Sequence, residues 1–285
     1  MQNLLIFKHF RLLLKGRGKT DKNRHKVSHF VEHAAFLCED SLTIFYNNDI
    51  LKINKKTTYF RREEYIFMKK HILCLGDSNT HGYCADPADC ADGGIRFNEE
   101  ERWTKLLQKT LGEGYLVIEE GLSGRTTVFQ DPLFEGLAAI DYITPCMKSH
   151  EMIDLLIIML GTNDTKDRFS ASAPCIALGM SRLVKKAMAV EAWKDGKPNI
   201  LVIAPPPIGE GMLSSEVSGT MGKGCVEKAK GLAKEYQAIC ELLGVHFLDA
   251  GTLGCEFNQI DYMHLTKKGH AALAEALGAL VPMLA

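Results

Sequence analysis

From residue 68 onward the sequence predicts an α/β fold, a three-layer α/β/α sandwich around a five-stranded parallel sheet. Two observations carry that prediction. Apolar, β-branched runs at 71–75, 115–118, 155–160, 200–204 and 245–248 each have the length of a strand, and their near-continuous apolarity suits burial on both faces. Segments with helical period lie among and after them, at 102–111, 176–190, 225–243 and 266–280. Strand and helix alternating in this way close through right-handed crossovers that lay helices on both faces of the sheet.

Taken in order, the first strand delivers Gly76-Asp77-Ser78-Asn79-Thr80 at its carboxyl end, the edge where α/β proteins place chemistry. The helix at 102–111 opens on Arg102-Trp103-Thr104, with Trp103 read as core or pocket wall. The second strand ends in Gly121-Leu122-Ser123-Gly124-Arg125 and the third in Leu160-Gly161-Thr162-Asn163-Asp164. In the next helix, Met180, Leu183 and Met188 fit a buried face. The fourth strand runs into Pro205-Pro206-Pro207, and five glycines by residue 224 predict an irregular loop beside the strand ends, where pockets are shaped. Residues 86–101 read as irregular too. Before the final helix stands Asp261-Tyr262-Met263-His264-Leu265.

Composition narrows the function classes. At 285 residues, 46% hydrophobic and 24% charged, the chain has the balance of a globular protein, and a net charge of −1 offers no general attraction to nucleic acid or anionic membrane. Its apolar runs are far shorter than the ~20 residues that span a bilayer. Nine cysteines, an odd number without a CxxC pair, suggest neither a disulfide framework nor a zinc cluster, and free thiols in a reducing cytoplasm are expected. No cofactor and no metal is expected. Self-association into a homo-oligomer stays open.

The candidate chemistry gathers at the strand ends. A serine is a poor nucleophile without a base, so Ser78 depends on His264, with Asp261 three residues earlier able to orient the ring and stabilise the imidazolium. The alternative is a capping Asp261 or Thr266 and an exposed His264. Asn163 can offer its amide to a developing oxyanion, or merely close a local turn. Gly124 can present its N–H to a closely approaching ligand, or serve an ordinary glycine turn. Asp77 and Asp164 are expected to hold their turns by accepting backbone N–H groups, and Cys84 and Cys90 to be unactivated thiols.

Together the blocks Gly76-Asp77-Ser78-Asn79, Gly124, Gly161-Thr162-Asn163-Asp164 and Asp261-Tyr262-Met263-His264 resemble those of the SGNH (GDSL-type) hydrolase family, over residues 68–285. The runs 102–104, 117–127 and 157–166 are similar to the arylesterase and acyltransferase branch. The resemblance implies a flavodoxin-like fold and a serine esterase acting on short-chain, acetyl-type esters of small molecules through an acyl-enzyme. In it Ser78 is nucleophile, His264 general base and then acid, and Asp261 the orienting carboxylate. The oxyanion donors are the N–H groups of Ser78 and Gly124 and the amide of Asn163. The chain departs from the family in carrying Asn79 where leucine is common, and in placing His81 and Tyr83 in the segment that forms the mouth. Acyl transfer to an alcohol or peroxide is the rival within this chemistry, and a non-catalytic flavodoxin-like binding module the rival outside it.

Residues 1–67 read differently. They hold thirteen Lys or Arg against seven Asp or Glu, which leaves −7 on 68–285, and no apolar period persists. Met68-Lys69-Lys70 has the form of a translation start, and Arg61-Arg62-Glu63-Glu64 can be encoded by purines alone, as a bacterial ribosome-binding site would be. The expectation is an extension outside the domain, disordered or arising from a start assigned too early. A basic partner-binding arm is the alternative.

Overall fold

The structure, a computed structural model, describes residues 35–38, 41–46, 49–54, 57–61 and 68–285. The chain divides into two units, Met1–Phe67 and Met68–Ala285. In the first, β1 (Ala35–Cys38), β2 (Ser41–Tyr46), β3 (Asp49–Asn54) and β4 (Thr57–Arg61) pair as an antiparallel meander with two-residue connections. The expected disorder is thereby corrected at 35–38, 41–46, 49–54 and 57–61. The missed signal was a set of β-branched and aromatic runs separated by pairs such as Asn47-Asn48, which is hairpin chemistry. The other residues of 1–67 lie outside the described residues.

The second unit runs β5 (Lys70–Gly76), α1 (Ser78–His81), α2 (Trp103–Leu111), β6 (Tyr115–Gly121), α3 (Ala139–Ser149), β7 (Leu155–Met159), α4 (Ala173–Met188), β8 (Ile200–Ala204), α5 (Ser218–Met221), α6 (Cys225–Leu243), β9 (His246–Asp249) and α7 (Lys267–Leu284). The sheet is all parallel in the order β6-β5-β7-β8-β9. Strand order reverses at β5, whose neighbours are β6 and β7, and such a reversal opens a crevice at the carboxyl ends of the strands. Among the described residues no helix is long and apolar enough to cross a membrane.

The pleat sorts the apolar residues onto two faces. Leu73, Leu75, Leu156, Ile158 and Val202 bury against Ile143, Met180, Leu183 and Leu232 of α3, α4 and α6. Ile72, Cys74, Leu155, Ile157 and Leu201 bury against Trp103 and Leu107 of α2 and Leu273, Leu277 and Val281 of α7. Three layers result, because the central strands have no polar face to turn to water. Helix α3 was not foreseen, since Pro145 interrupts its short apolar period. The stretch 205–224 is less irregular than expected, carrying a 3-10 turn at Glu210–Ser214 as well as α5.

One ion-pair cluster ties α2 to β6. Arg102 Nε and Nη2 donate to Glu119 Oε1 and Oε2 at 2.7 and 3.1 Å, Lys105 Nζ lies 3.1 Å from Oε2, and Thr104 Oγ1 also donates to Oε1. Burial alone would raise the Glu119 carboxyl, but these donors hold it down at about 2. Glu119→Gln should destabilise the protein by about 3 kcal/mol near neutral pH, because it leaves a buried Arg102 with only the exposed Glu99 as an ionic partner. Since Glu119 titrates lower folded than in an unfolded chain (about 4.3), its contribution is fully present above that pH and lost as pH falls through its folded value. Denaturant titrations of both proteins at pH 7 and pH 3 should show the difference narrowing in acid, and a difference constant with pH would refute the assignment.

Candidate active site

Ser78 stands on the first residue of α1, immediately beyond β5. The strand-to-helix turn is tight: a Cβ on Gly76 would come within 2.0 Å of Thr80 Oγ1, and one on Gly121 within 2.1 Å of the His81 nitrogen. Asp77 caps α1 by accepting from Asn79 N at 3.0 Å. Burial pushes its carboxyl up to about 6, against that hydrogen bond and the nearby positive charges.

His264 comes from the opposite end of the chain, on the loop before α7. Its Nε2 lies 2.7 Å from Ser78 Oγ and its Nδ1 2.6 Å from Asp261 Oδ2. With the proton on Nδ1, donated to the carboxylate, Nε2 is left to accept from the serine hydroxyl. Oδ1 of Asp261 receives Met263 N and His264 N, both at 3.0 Å, and Asn258 Nδ2 at 2.9 Å. Burial would raise this carboxyl, but the His264 bond and charge and the two backbone N–H groups hold it well below the usual range. Thr266, not Asp261, caps α7, through Gly269 N. Thr266 thus takes the capping role that the alternative reading allowed it, but His264 is not merely exposed, since both ring nitrogens are engaged.

The turn through Asp261 and His264 passes Tyr262, a non-glycine residue at φ 60°. Tyr262 O accepts from Gly209 N at 2.8 Å, and its ring lies so close to the next loop that a Cβ on Gly211 would meet it at 2.4 Å. The loop after β8 is thus seated on the histidine loop, with Ile208, Met212, Met221 and Met263 buried in one cluster. Tyr83 lines the other side, its ring centroid 4.6 Å from that of His264.

Gly124 and Asn163 both follow strands that flank β5. Gly124 has φ 87°, a backbone that favours glycine. Asn163 Nδ2 donates to Arg125 O at 3.2 Å, so its side chain crosses to the neighbouring turn and does not close a local one. An amide NH2 has two hydrogens, and this contact uses one. Arg125 Nη1 donates back to Gly76 O at 3.0 Å and to Glu120 O. Asp164 Oδ1 accepts from Thr127 N at 2.9 Å and from Thr127 Oγ1, and burial pushes its carboxyl up to about 6. These ties hold the three strand ends together.

Two groups that look reactive are otherwise employed. Burial pushes the Cys84 thiol up to about 12 and raises Cys90 also, so neither has thiolate character. Glu120, Cys146 and His150 bring donor atoms within 4.8 Å of one another, as a metal site would. Glu120 Oε1, however, already accepts from His150 Nε2 and Oε2 from the Tyr142 hydroxyl, each at 2.8 Å, while burial pushes the Cys146 thiol up to about 12. The Glu120 carboxylate is thus satisfied by His150 and Tyr142. Asn258 and the contacts of Asn79 with the histidine loop were not anticipated, and no local sequence pattern announces them, since their partners are made only by the tertiary fold.

Comparison with known proteins gives a consistent result. A family model described as "GDSL-like Lipase/Acylhydrolase family" matches residues 74–272. The chain is 36% identical to the aryl esterase of M. smegmatis, with a TM-score of 0.68 over 76% of this chain and 100% of that one. It is 35% identical to a carbohydrate acetylesterase from Sinorhizobium meliloti, with a TM-score of 0.67 and the same coverage of 76% and 100%. A member of the lipolytic protein G-D-S-L family from Veillonella parvula, at 15% identity and a TM-score of 0.54 over 75% of this chain and 100% of that one, shares the fold. No curated protein matches the chain at a significant level.

Proposed function

The chain belongs to the GDSL-like lipase/acylhydrolase family, and on that premise we propose that it is a serine esterase hydrolysing short-chain, acetyl-type carboxylic esters through an acyl-enzyme. The observation that carries this reading is the run of hydrogen bonds from Ser78 Oγ through both ring nitrogens of His264 to Asp261, at 2.7 and 2.6 Å. The solved structures of similar sequence, an aryl esterase and a carbohydrate acetylesterase, support the acyl size and the class of ester.

In this mechanism His264 Nε2 takes the Ser78 proton as Oγ attacks the ester carbonyl carbon. Asp261 stabilises the imidazolium without taking the proton. The oxyanion is held by the N–H groups of Ser78 and Gly124 and by Asn163 Nδ2. Collapse breaks the ester C–O bond, and the alcohol leaves with the proton from His264. Water then attacks the acyl-serine while Nε2 takes its proton, and the second collapse returns that proton to Oγ and frees the acid.

Ser78→Ala removes the nucleophile while leaving the strand-to-helix turn intact. The variant should fold normally and lose p-nitrophenyl acetate hydrolysis by a factor of about a thousand or more, and a phosphonate should label Ser78 of the unaltered protein. A well-folded variant that retains its rate, or an adduct on another residue, would sink the assignment.

Asn163→Ala should lower kcat by about a hundredfold with a smaller change in KM, because the amide binds the oxyanion more strongly than the ground-state carbonyl. An effect confined to KM would reduce Asn163 to substrate positioning.

All the proposed catalytic groups lie beyond residue 67, so a protein starting at Met68 should hydrolyse esters at the full-length rate. Loss of stability or activity in that shortened protein, measured by thermal melting and steady-state kinetics, would assign the first 67 residues a part in the enzyme.

A further inference from the structure

Asn79 follows Ser78 directly and is 2% exposed. Its Oδ1 accepts from Leu265 N at 3.0 Å and its Nδ2 donates to Met263 O at 3.2 Å. Those two backbone groups flank His264 on either side. One planar amide, joined by a single peptide bond to Ser78, therefore grips the segment that carries the imidazole. The other bonds made by the backbone of residues 263–265 hold the segment's own shape: Asp261 Oδ1 receives Met263 N and His264 N, while Asn258 N and Nδ2 donate to His264 O at 3.0 and 2.8 Å. None of these four bonds reaches the element bearing the nucleophile. The amide of Asn79 does, across more than 180 residues of sequence.

We propose that Asn79 is a positioning residue of the esterase site, setting the His264 segment in register with α1 so that Nε2 meets Ser78 Oγ. The proposal rests on the reading of Ser78 as nucleophile and His264 as base. An aliphatic residue could fill the same volume, but it would leave Leu265 N–H and Met263 C=O buried without partners and the segment free to slide. A shift of about 1 Å in such a pair lowers turnover by as much as a hundredfold. Substrate binding, which does not need the proton transfer, is unaffected by that slide.

The test compares the full-length protein with Asn79→Leu, which removes both bonds, and Asn79→Asp, which keeps the shape and the acceptor but loses the donor. Readouts are kcat and KM for p-nitrophenyl acetate and the rate at which a phosphonate labels Ser78. Asn79→Leu should lower kcat and the labelling rate together, by about tenfold or more, with KM within about threefold and an unchanged near-UV circular dichroism spectrum. Asn79→Asp should show the same pattern to a smaller degree. A purely structural role would lower the melting temperature while leaving kcat and labelling at the unaltered values in the folded protein, and that result overturns the proposal. Should Asn79→Leu fail to fold, the isosteric Asn79→Asp decides by the same criterion. Ser78→Ala run alongside separates the two levels: if it remains active the esterase reading has failed. If it is inactive while both Asn79 variants turn over normally, that reading stands and the positioning role falls.

Discussion

Four donors converge on the carboxylate of Asp261, and the geometry around Ser78 depends on that convergence. A buried carboxylate without partners would take up a proton, and a neutral Asp261 would no longer favour one tautomer of the imidazole. Backbone N–H groups of Met263 and His264 and the Asn258 amide supply one oxygen, and His264 Nδ1 the other. The ring that completes this set is the one that faces Ser78. Charge on Asp261, tautomer of His264 and direction of Nε2 are thus one linked arrangement. Its backbone turn requires Tyr262 in the left-handed region, a conformation that costs a non-glycine residue about 1 kcal/mol or more and persists where surrounding contacts hold it. Here the loop at Gly209 and Gly211 does so, through a hydrogen bond and close packing on the tyrosine.

The other side of the crevice is held by a different device. Three turns, after β5, β6 and β7, are bound to one another by side chains that reach across: Arg125 to Gly76, Asn163 to Arg125 and Asp164 to Thr127. Parallel strands end side by side, but their turns share no ladder of backbone bonds, so polar side chains must supply the connection. Each is buried, and each makes at least one hydrogen bond, through Oδ1 alone in the case of Asp164. A preorganised set of donors follows from this bracing, because a donor held in place before reaction needs no reorganisation when charge develops.

Much of this could be read before any coordinates. The five strands of the sheet and the four strongly periodic helices appear in the sequence because near-continuous apolar runs and a 3.6-residue period are local signals; α6 at Cys225–Leu243 spans the whole predicted segment. The placement of Ser78, Gly124 and Asn163 beyond strand ends, and of Asp261 and His264 before the last helix, was legible because each lies within a short block. Helix α3 was not, since Pro145 breaks its pattern, and the meander at 35–61 was hidden by strands of six residues or fewer that lack a regular alternation. Asn79 and Asn258 escaped for another reason. An asparagine looks the same in sequence whether it faces water or grips a distant peptide, and its partners are decided by the fold.

The separation of 186 positions between Ser78 and His264 also bears on how the protein comes to be active. Contacts between such distant positions are entropically the slowest to form. Helix α7, which follows the histidine loop, covers one face of the sheet with Leu273, Leu277 and Val281 beside Ile72 and Ile157. Until it docks, that face lacks half of its cover and the histidine has no fixed place. Helical content and collapse can precede this step, so spectroscopic signals of structure would run ahead of function on the folding pathway. Recovery of turnover, by contrast, marks the closing of one of the longer loops in the domain.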